Sequence, residues 1–245
     1  VYHHRSMTQN TDPRTEPVAR ELKDETPLSP MRTTIADRLQ ESYRDAAHVT
    51  LTREASLPPL EPGLAQIASE TTTPSIIDVL LKSVSEALTA HPAFNATYDA
   101  AEKTHRTYHE HNVGIATDID DGLVVPVLSD LRDDSIIDIH RQRTAVVDRV
   151  QRGSFSMSDF EHGTFTVSNL GPLGVDTFTP IINPPQVAIL GVGRLRDVSA
   201  QQSMQDAPSS QIGLSLSFDH RVVDGADGAR FLDTIVQSTT TALET

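Results

Sequence analysis

The segment Ser217-Phe-Asp-His-Arg-Val-Val-Asp-Gly-Ala-Asp-Gly-Ala-Arg230 sets one histidine among arginines and carboxylates, between an expected strand end and a helix start. Scaffolds often present reactive groups on the loops that follow strand ends. His220 is suited there to general-base work near neutral pH, with Asp219 and Asp224 available to orient it or balance its charge. The residues alone equally allow a turn of solvated charge. A second segment, Gly163-Thr-Phe-Thr-Val-Ser-Asn-Leu-Gly-Pro-Leu-Gly174, ends a strand in a loop rich in hydroxyls and glycines. Ser168 or Thr166 could donate a hydrogen bond to a developing oxyanion, and the glycines would let a substrate approach the backbone. Taken by itself, this segment reads more readily as an ordinary tight loop.

The elements that must position these groups are partly legible. A chain of 245 residues, 37% of them hydrophobic, supports one substantial core and is short for two independent domains. Residues 1–28 are polar, carry Pro13, Pro17 and Pro27, and show little periodicity, so they read as a flexible tail or linker. The chain opens on Val, so either Met7 is the start or this is a piece of a longer polypeptide. From Met31 the spacing is helical, with Ile35, Leu39 and Tyr43 four apart. Thr73 and Pro74 are expected to open a second helix, whose Ile76, Leu80, Val84 and Leu88 form one stripe up to Pro92. Alternation over 113–119 and 123–128, about Asp121-Gly122, reads as a β-hairpin. A helix over 135–152 closed by Gly153, strands over 164–168, 187–193 and 212–218, and a last helix from Asp227 complete the pattern. There is no βαβ repeat, G-x-G-x-x-G or Walker loop, so the expected fold class is α/β, a mixed-sheet two-layer sandwich.

Composition excludes several functions. Cysteine is absent, which removes disulfides, thiolate metal sites and a Cys nucleophile. The formal charge is -14, and only Lys23, Lys82 and Lys103 are lysines, so the surface should repel nucleic acid and acidic membranes. An Asp-rich, Lys-poor chain also suits molar salt, where the Debye length falls to about 3 Å, and a halophilic source is expected. No apolar run approaches the roughly 20 residues needed to cross a bilayer, and the first residues lack a signal-peptide core; a cytoplasmic location is expected. His3 and His4, with His48, His105, His109 and His111, have no metal-ligand spacing, so they read as surface histidines and no metal is expected.

Asp219-His220-Arg221-Val222-Val223-Asp224-Gly225 resembles the D-H-R-x-x-D-G signature of dihydrolipoamide acyltransferases, the core components of 2-oxo acid dehydrogenase complexes. Phe165-Thr-Val-Ser-Asn-Leu-Gly171 is similar to their F-T-x-S-N-x-G loop. Pro30–Leu39 resembles the opening helix of that domain, Asn112–Ala116 through Gly122–Pro126 its central hairpin, and Pro180–Gly191 the strand after the active-site loop. The resemblance runs over roughly residues 28–245 in family order. It implies a catalytic domain at 29–245 with a chloramphenicol acetyltransferase-like fold.

The resemblance also implies the chemistry. His220 takes the proton from the thiol of CoA or dihydrolipoamide, and the thiolate attacks the acyl thioester. A free thiol with pKa of about 8.5 is only a few per cent thiolate at pH 7, so a base within hydrogen-bond reach is useful. Ser168 matches the hydroxyl that hydrogen-bonds the tetrahedral oxyanion, a contact worth about 10²- to 10³-fold in rate. Asp224 matches the second acidic position. By similarity to chloramphenicol acetyltransferases it is expected to pair with an arginine on the first helix, for which Arg38 is the candidate; Arg38 and Arg221 are then structural supports. Asn169, Gly171 and Asp219 are expected to shape the thiol channel. Three subunits would form a ring with each site between two of them, a unit that can be built further into a larger hollow shell. The 2-oxo acid decarboxylase and dihydrolipoamide dehydrogenase components are the expected partners.

One departure concerns acyl supply. Members of the family usually carry a lipoyl domain and a small peripheral-subunit-binding domain. None of Lys23, Lys82 or Lys103 sits in the expected D-K-A-like hairpin tip, and the tail is too short for either module. With CoA as substrate, the lipoyl group is therefore expected in trans, from a separate lipoylated carrier. Two other readings stay open: a stand-alone acyltransferase with a non-lipoyl acceptor such as a small alcohol or amine, and an inactive assembly scaffold, against which the intact His220 and Ser168 argue. The acyl group itself, acetyl, succinyl or branched-chain, depends on tertiary packing.

Overall fold

A computed structural model describes residues 20–119, 122–198 and 209–244. His3, His4, Met7, Pro13, Pro17 and the turn residue Asp121 fall outside them. Helix α1 (Pro30–Asp45) begins at Ser29, whose hydroxyl accepts the Arg32 N–H at 3.2 Å, with Pro30 in the first turn. Its expected apolar stripe is not core within this chain: Leu39 and Tyr43 are 40% and 72% exposed. What ties α1 down is Ser42, which is buried and donates to the Ile182 carbonyl at 2.6 Å.

Strand β1 (His48–Leu57) and helix α2 (Leu60–Ile67) follow. Helix α3 (Ile76–Ala90) starts two residues later than the sequence suggests. Ser75, not Thr73, is its cap, because Ser75 and Asp78 satisfy each other's backbone N–H groups in a capping box, leaving Pro74 outside. Leu80, Val84 and Leu88 are fully buried, as their spacing requires. Strands β2 (Ala96–Asp99) and β3 (Thr104–Thr107) form a separate hairpin.

The expected central hairpin is split. β4 (Val113–Ile115) pairs with β7 (Val127–Leu128) in the main sheet, whereas β5 (Thr117–Ile119) pairs with β6 (Gly122–Val124) as a small sheet of its own. Pro126 lies between β6 and β7 and has no N–H to donate, which interrupts a continuous ladder. Helix α4 (Ile136–Gln151) is capped by Ser135 and followed by Gly153 at φ 68°, and strands β8 (Phe165–Asn169), β9 (Ala188–Val198) and β10 (Ser209–Asp219) lead to α5 (Gly225–Glu244).

The six-stranded sheet has the order β1-β10-β9-β8-β4-β7, with β8 parallel to β9 and β4 and the other pairings antiparallel. Helices α3 and α5 pack over it around buried Phe94, Phe165, Phe218 and Phe231, of which Phe94 and Phe231 stack at 4.3 Å. This is the mixed-sheet α/β sandwich expected. The small positions of β10 are buried as well as the large ones. The chain just after β8 crosses here: a Cβ on Gly193 or Gly213 would come within 1.8 or 2.2 Å of the Asp176 carbonyl oxygen. Glycine at both positions is what lets that loop lie against the sheet.

Candidate active site

His220 stands at the end of β10, in the turn before α5. Its backbone N–H donates to the Ala47 carbonyl at 2.9 Å, and the preceding Asp219 N–H donates to Val187 at 2.9 Å. The main chain beneath the ring is thus fixed from two neighbouring segments. The ring itself is 44% exposed, with its Nδ1 3.8 Å from an Asp224 carboxylate oxygen. That separation is an electrostatic contact rather than a hydrogen bond.

The carboxylates flanking His220 have different tasks. Asp219, assigned by resemblance to the thiol channel, is 3% exposed and fully committed as an anchor. It accepts from the Ala47 N–H at 3.3 Å, from the Arg221 N–H at 3.0 Å, and from the Arg221 guanidinium at 2.9 and 2.5 Å. Burial alone would raise this carboxyl, but the Arg221 and Ala47 donors outweigh it and hold it below the usual range. Arg221 is raised in turn, chiefly by its hydrogen bonds to Asp219. Asp224 is 82% exposed. Its backbone carbonyl accepts the N–H groups of Asp227 and Gly228 and so opens α5. The expected Arg38–Asp224 pair does not form within the chain. Arg38 donates instead to the Pro184 carbonyl at 3.1 Å, because α1 is docked onto residues 182–184 through Ser42 and Arg38.

Ser168 lies in the second half of β8, partly buried. No hydrogen bond among the described residues engages its hydroxyl, which leaves it available to an oxyanion. Thr166 is not available: it is 1% exposed, and its hydroxyl donates to the Gln186 side chain at 2.5 Å. Asn169 uses its side-chain oxygen to accept the Gly171 N–H at 3.0 Å, folding the loop back on itself. A Cβ on Gly171 would meet the Gly193 carbonyl at 2.5 Å. Asn169 and Gly171 therefore shape the loop that follows Ser168.

Strand register sets the distance between the two candidate side chains, Ser168 and His220. Ser168 pairs with Gly191 on β9, and Gly191 pairs with Ser215 on β10. His220 lies five residues further along β10, about 16 Å at roughly 3.3 Å per residue, and two strands across at about 4.8 Å each. The two groups of one chain are thus roughly 15–20 Å apart, far beyond joint contact with one carbonyl.

Several tertiary contacts, some beside the His turn and one remote from it, carried no sequence signal. Tyr98 presents its ring to Arg221, with the guanidinium carbon 4.6 Å from the ring centroid. His48 accepts the Ile182 N–H at 3.2 Å on Nε2 and lies 3.3 Å from the Ala46 carbonyl through Nδ1, so it carries its proton on Nδ1. His111, read as a surface histidine, is buried against the Ser85 hydroxyl at 2.8 Å, and burial lowers its pKa. Each depends on contacts far away in the chain. Among the described residues no group of three or more His, Asp or Glu side chains is placed to hold a metal ion, and no helix is long and apolar enough to cross a membrane.

Residues 20–242 match the family described as 2-oxoacid dehydrogenases acyltransferase (catalytic domain). A dihydrolipoyllysine-residue acetyltransferase component of the acetoin cleaving system of Bacillus subtilis is 34% identical over 233 residues, which is 93% of this chain and 58% of that protein. The chain spans about half the length of the curated relatives it matches. Among solved structures, Azotobacter vinelandii dihydrolipoamide acetyltransferase, studied for the role of a serine, a histidine and an asparagine in its catalytic mechanism, superposes with a TM-score of 0.80 at 26% identity, covering 94% of this chain and all of that one. The cubic core of the pyruvate dehydrogenase multienzyme complex gives the same TM-score, identity and coverage. A chloramphenicol acetyltransferase, at 11% identity and a TM-score of 0.52 over 84% of this chain and 94% of that one, shares the fold.

Proposed function

Because the chain belongs to the family of 2-oxoacid dehydrogenase acyltransferase catalytic domains, we propose that it moves an acyl group between a dihydrolipoyl thiol and CoA. In this reading residues 29–245 are the catalytic domain and residues 1–28 a linker. The observation that carries the reading is His220 itself, an exposed imidazole on a pinned backbone, with an Asp224 carboxylate oxygen 3.8 Å from its Nδ1.

The thiol approaches His220, loses its proton to the imidazole and adds to the thioester carbonyl. Negative charge builds on the carbonyl oxygen, where Ser168 donates a hydrogen bond. Collapse of the adduct expels the other thiolate, which recovers the proton from His220. Asp224 stands beside the base, one carboxylate oxygen 3.8 Å from His220 Nδ1.

Support for these roles comes from spacing. The serine and histidine studied in the Azotobacter enzyme are fifty-two residues apart, as Ser168 and His220 are, and its third residue follows the histidine by four, as Asp224 follows His220. That third residue is asparagine there, so a full negative charge beside the base distinguishes this chain.

The site is then shared between subunits. Since Ser168 and His220 of one chain are roughly 15–20 Å apart, the serine acting with a given histidine belongs to a neighbouring copy. A ring of three copies is the smallest closed arrangement in this reading, with a larger hollow shell built from such rings. Contrary to expectation Lys103 lies in the β2–β3 hairpin turn, but in a Glu-Lys-Thr setting, and none of Lys23, Lys82 or Lys103 has D-K-A-like surroundings, so in this reading the lipoyl group comes from outside this domain, on a lipoylated carrier. The decarboxylase and dihydrolipoamide dehydrogenase components of the complex are the remaining partners. The acidic, Lys-poor composition fits a cytoplasm rich in salt.

The test is a thiol-release assay of acetyl-, succinyl- and isobutyryl-CoA with dihydrolipoamide. Transfer from at least one donor, lost in His220→Ala by the 10² to 10⁴ typical of general-base removal, is the expected result. No transfer from any donor, or a His220→Ala variant of near wild-type rate, would refute the proposal.

A further inference from the structure

We propose that Tyr98 is a positioning residue for the general base, a role that rests on the acyl-transfer reading and adds to it. The imidazole of His220 has few side-chain contacts: Asp224 at 3.8 Å, and the Phe218 ring at 6.0 Å between centroids. Its placement must therefore come from the residues on either side of it. Those two, Asp219 and Arg221, are locked to each other, the Arg221 Nε reaching both carboxylate oxygens at 2.9 and 3.0 Å and Nη2 one of them at 2.5 Å.

A locked pair still needs an external reference, and Tyr98 provides one. Its backbone N–H donates to the Pro185 carbonyl at 3.0 Å, and the neighbouring Ala96 carbonyl accepts the Val187 N–H at 3.2 Å. Val187 in turn accepts the Asp219 N–H at 2.9 Å. The hairpin carrying Tyr98 and the turn carrying His220 are thus tied to the same short segment by main-chain bonds. The Arg221 guanidinium, 4.6 Å from the ring centroid, closes this circuit through side chains. With the Asp219 side chain only 4% exposed on one side and the Tyr98 ring on the other, Arg221 has little room to swing, and the His220 backbone between them is held. Misplacement of a base by about 1 Å costs on the order of a hundredfold, so a partial loosening is readable in kcat.

The experiment compares Tyr98→Leu, which removes the ring, with Tyr98→Phe, which keeps it, in the assembled protein. Steady-state transfer between CoA and dihydrolipoamide is measured together with amide hydrogen exchange over 216–224. Tyr98→Leu should lower kcat about tenfold, leave the KM for CoA within about twofold, and speed exchange in the His turn. Tyr98→Phe should retain wild-type values in all three. A Leu variant with unchanged kcat and exchange, or a Phe variant impaired as much as Leu, would overturn the proposal. Should Tyr98→Leu fail to assemble, Arg221→Gln decides by the same measurements, since it withdraws the cation and leaves the hairpin intact; unchanged values there overturn the proposal too. Exchange is read without substrate. An inactive wild-type protein would therefore refute the acyl-transfer reading while exchange still decided the role of Tyr98.

Discussion

Asp78 and Arg143 join α3 to α4 through a carboxylate that is fully buried, one oxygen 2.6 Å from the arginine Nε. The other oxygen takes the Ser75 N–H at 2.8 Å and faces His140 Nδ1 at 2.9 Å. Burial alone would raise this carboxyl; Arg143, Ser75 and His140 together hold it below the ordinary value. A depressed carboxyl contributes stability that is present above the unfolded value of 3.8 and lost as pH falls through the folded one. Asp78→Ala should cost about 3–5 kcal/mol at pH 7, because it leaves Arg143 partly buried without its partner. In denaturation series across pH, the gap between wild type and Asp78→Asn should narrow below pH 3.8. Parallel curves would show that the pair contributes nothing electrostatic.

In the proposed mechanism Ser168→Ala removes a hydrogen bond made mainly in the transition state. It should lower kcat by about 10²- to 10³-fold while the KM for CoA changes little. Steady-state kinetics distinguishes the roles, since a raised KM at constant kcat would make Ser168 a binding residue.

Gly193→Ala tests how the loop after Ser168 is seated. The new methyl carbon would fall 1.8 Å from the Asp176 carbonyl oxygen, so the loop must move. Thermal unfolding should register a loss of at least about 1–3 kcal/mol. Hydrogen exchange should quicken over 170–178 and stay unchanged in the His turn, because β10 reaches that turn from the far end of the sheet. Unaltered stability and exchange would contradict the close packing described.

The formal charge of -14 predicts salt dependence. The unfolding midpoint should rise steadily from low to molar KCl, as screening shortens the Debye length from about 10 Å to 3 Å. A midpoint indifferent to KCl would contradict the self-repulsion that this charge implies.

What could be read in the sequence follows a physical division. Helix α3 was legible because Leu80, Val84 and Leu88 repeat every four residues against one surface, and α4 because Ser135 and Gly153 bracket it. The His turn was legible because its residue types are rare in combination. β1 escaped notice because Arg53 and Ala55 fall on its covered face between Leu51 and Leu57, so the apolar alternation in the sequence is weak. The cap of α3 was misplaced by two residues because Thr73 and Ser75 are both acceptable caps, and only the position of Asp78 decides between them. Arg38 was matched to Asp224 by resemblance, yet which carbonyl or carboxylate it reaches depends on how α1 docks, a tertiary fact fixed by Ser42 and residues 182–184. Tyr98, His48 and Ala47 act through contacts more than a hundred residues away, and local patterns hold no trace of them.

The shared site is the central claim, and subunit complementation tests it most directly. His220→Ala and Ser168→Ala proteins, each inactive alone, are mixed, dissociated and reassembled, with exchange verified by mass-tagged subunits. If the histidine and serine acting together come from neighbouring copies, some interfaces in the mixed assemblies pair an intact His220 with an intact Ser168, and part of the wild-type transfer rate returns. No recovery despite verified exchange would place both residues in the site of a single subunit and contradict the register that separates them.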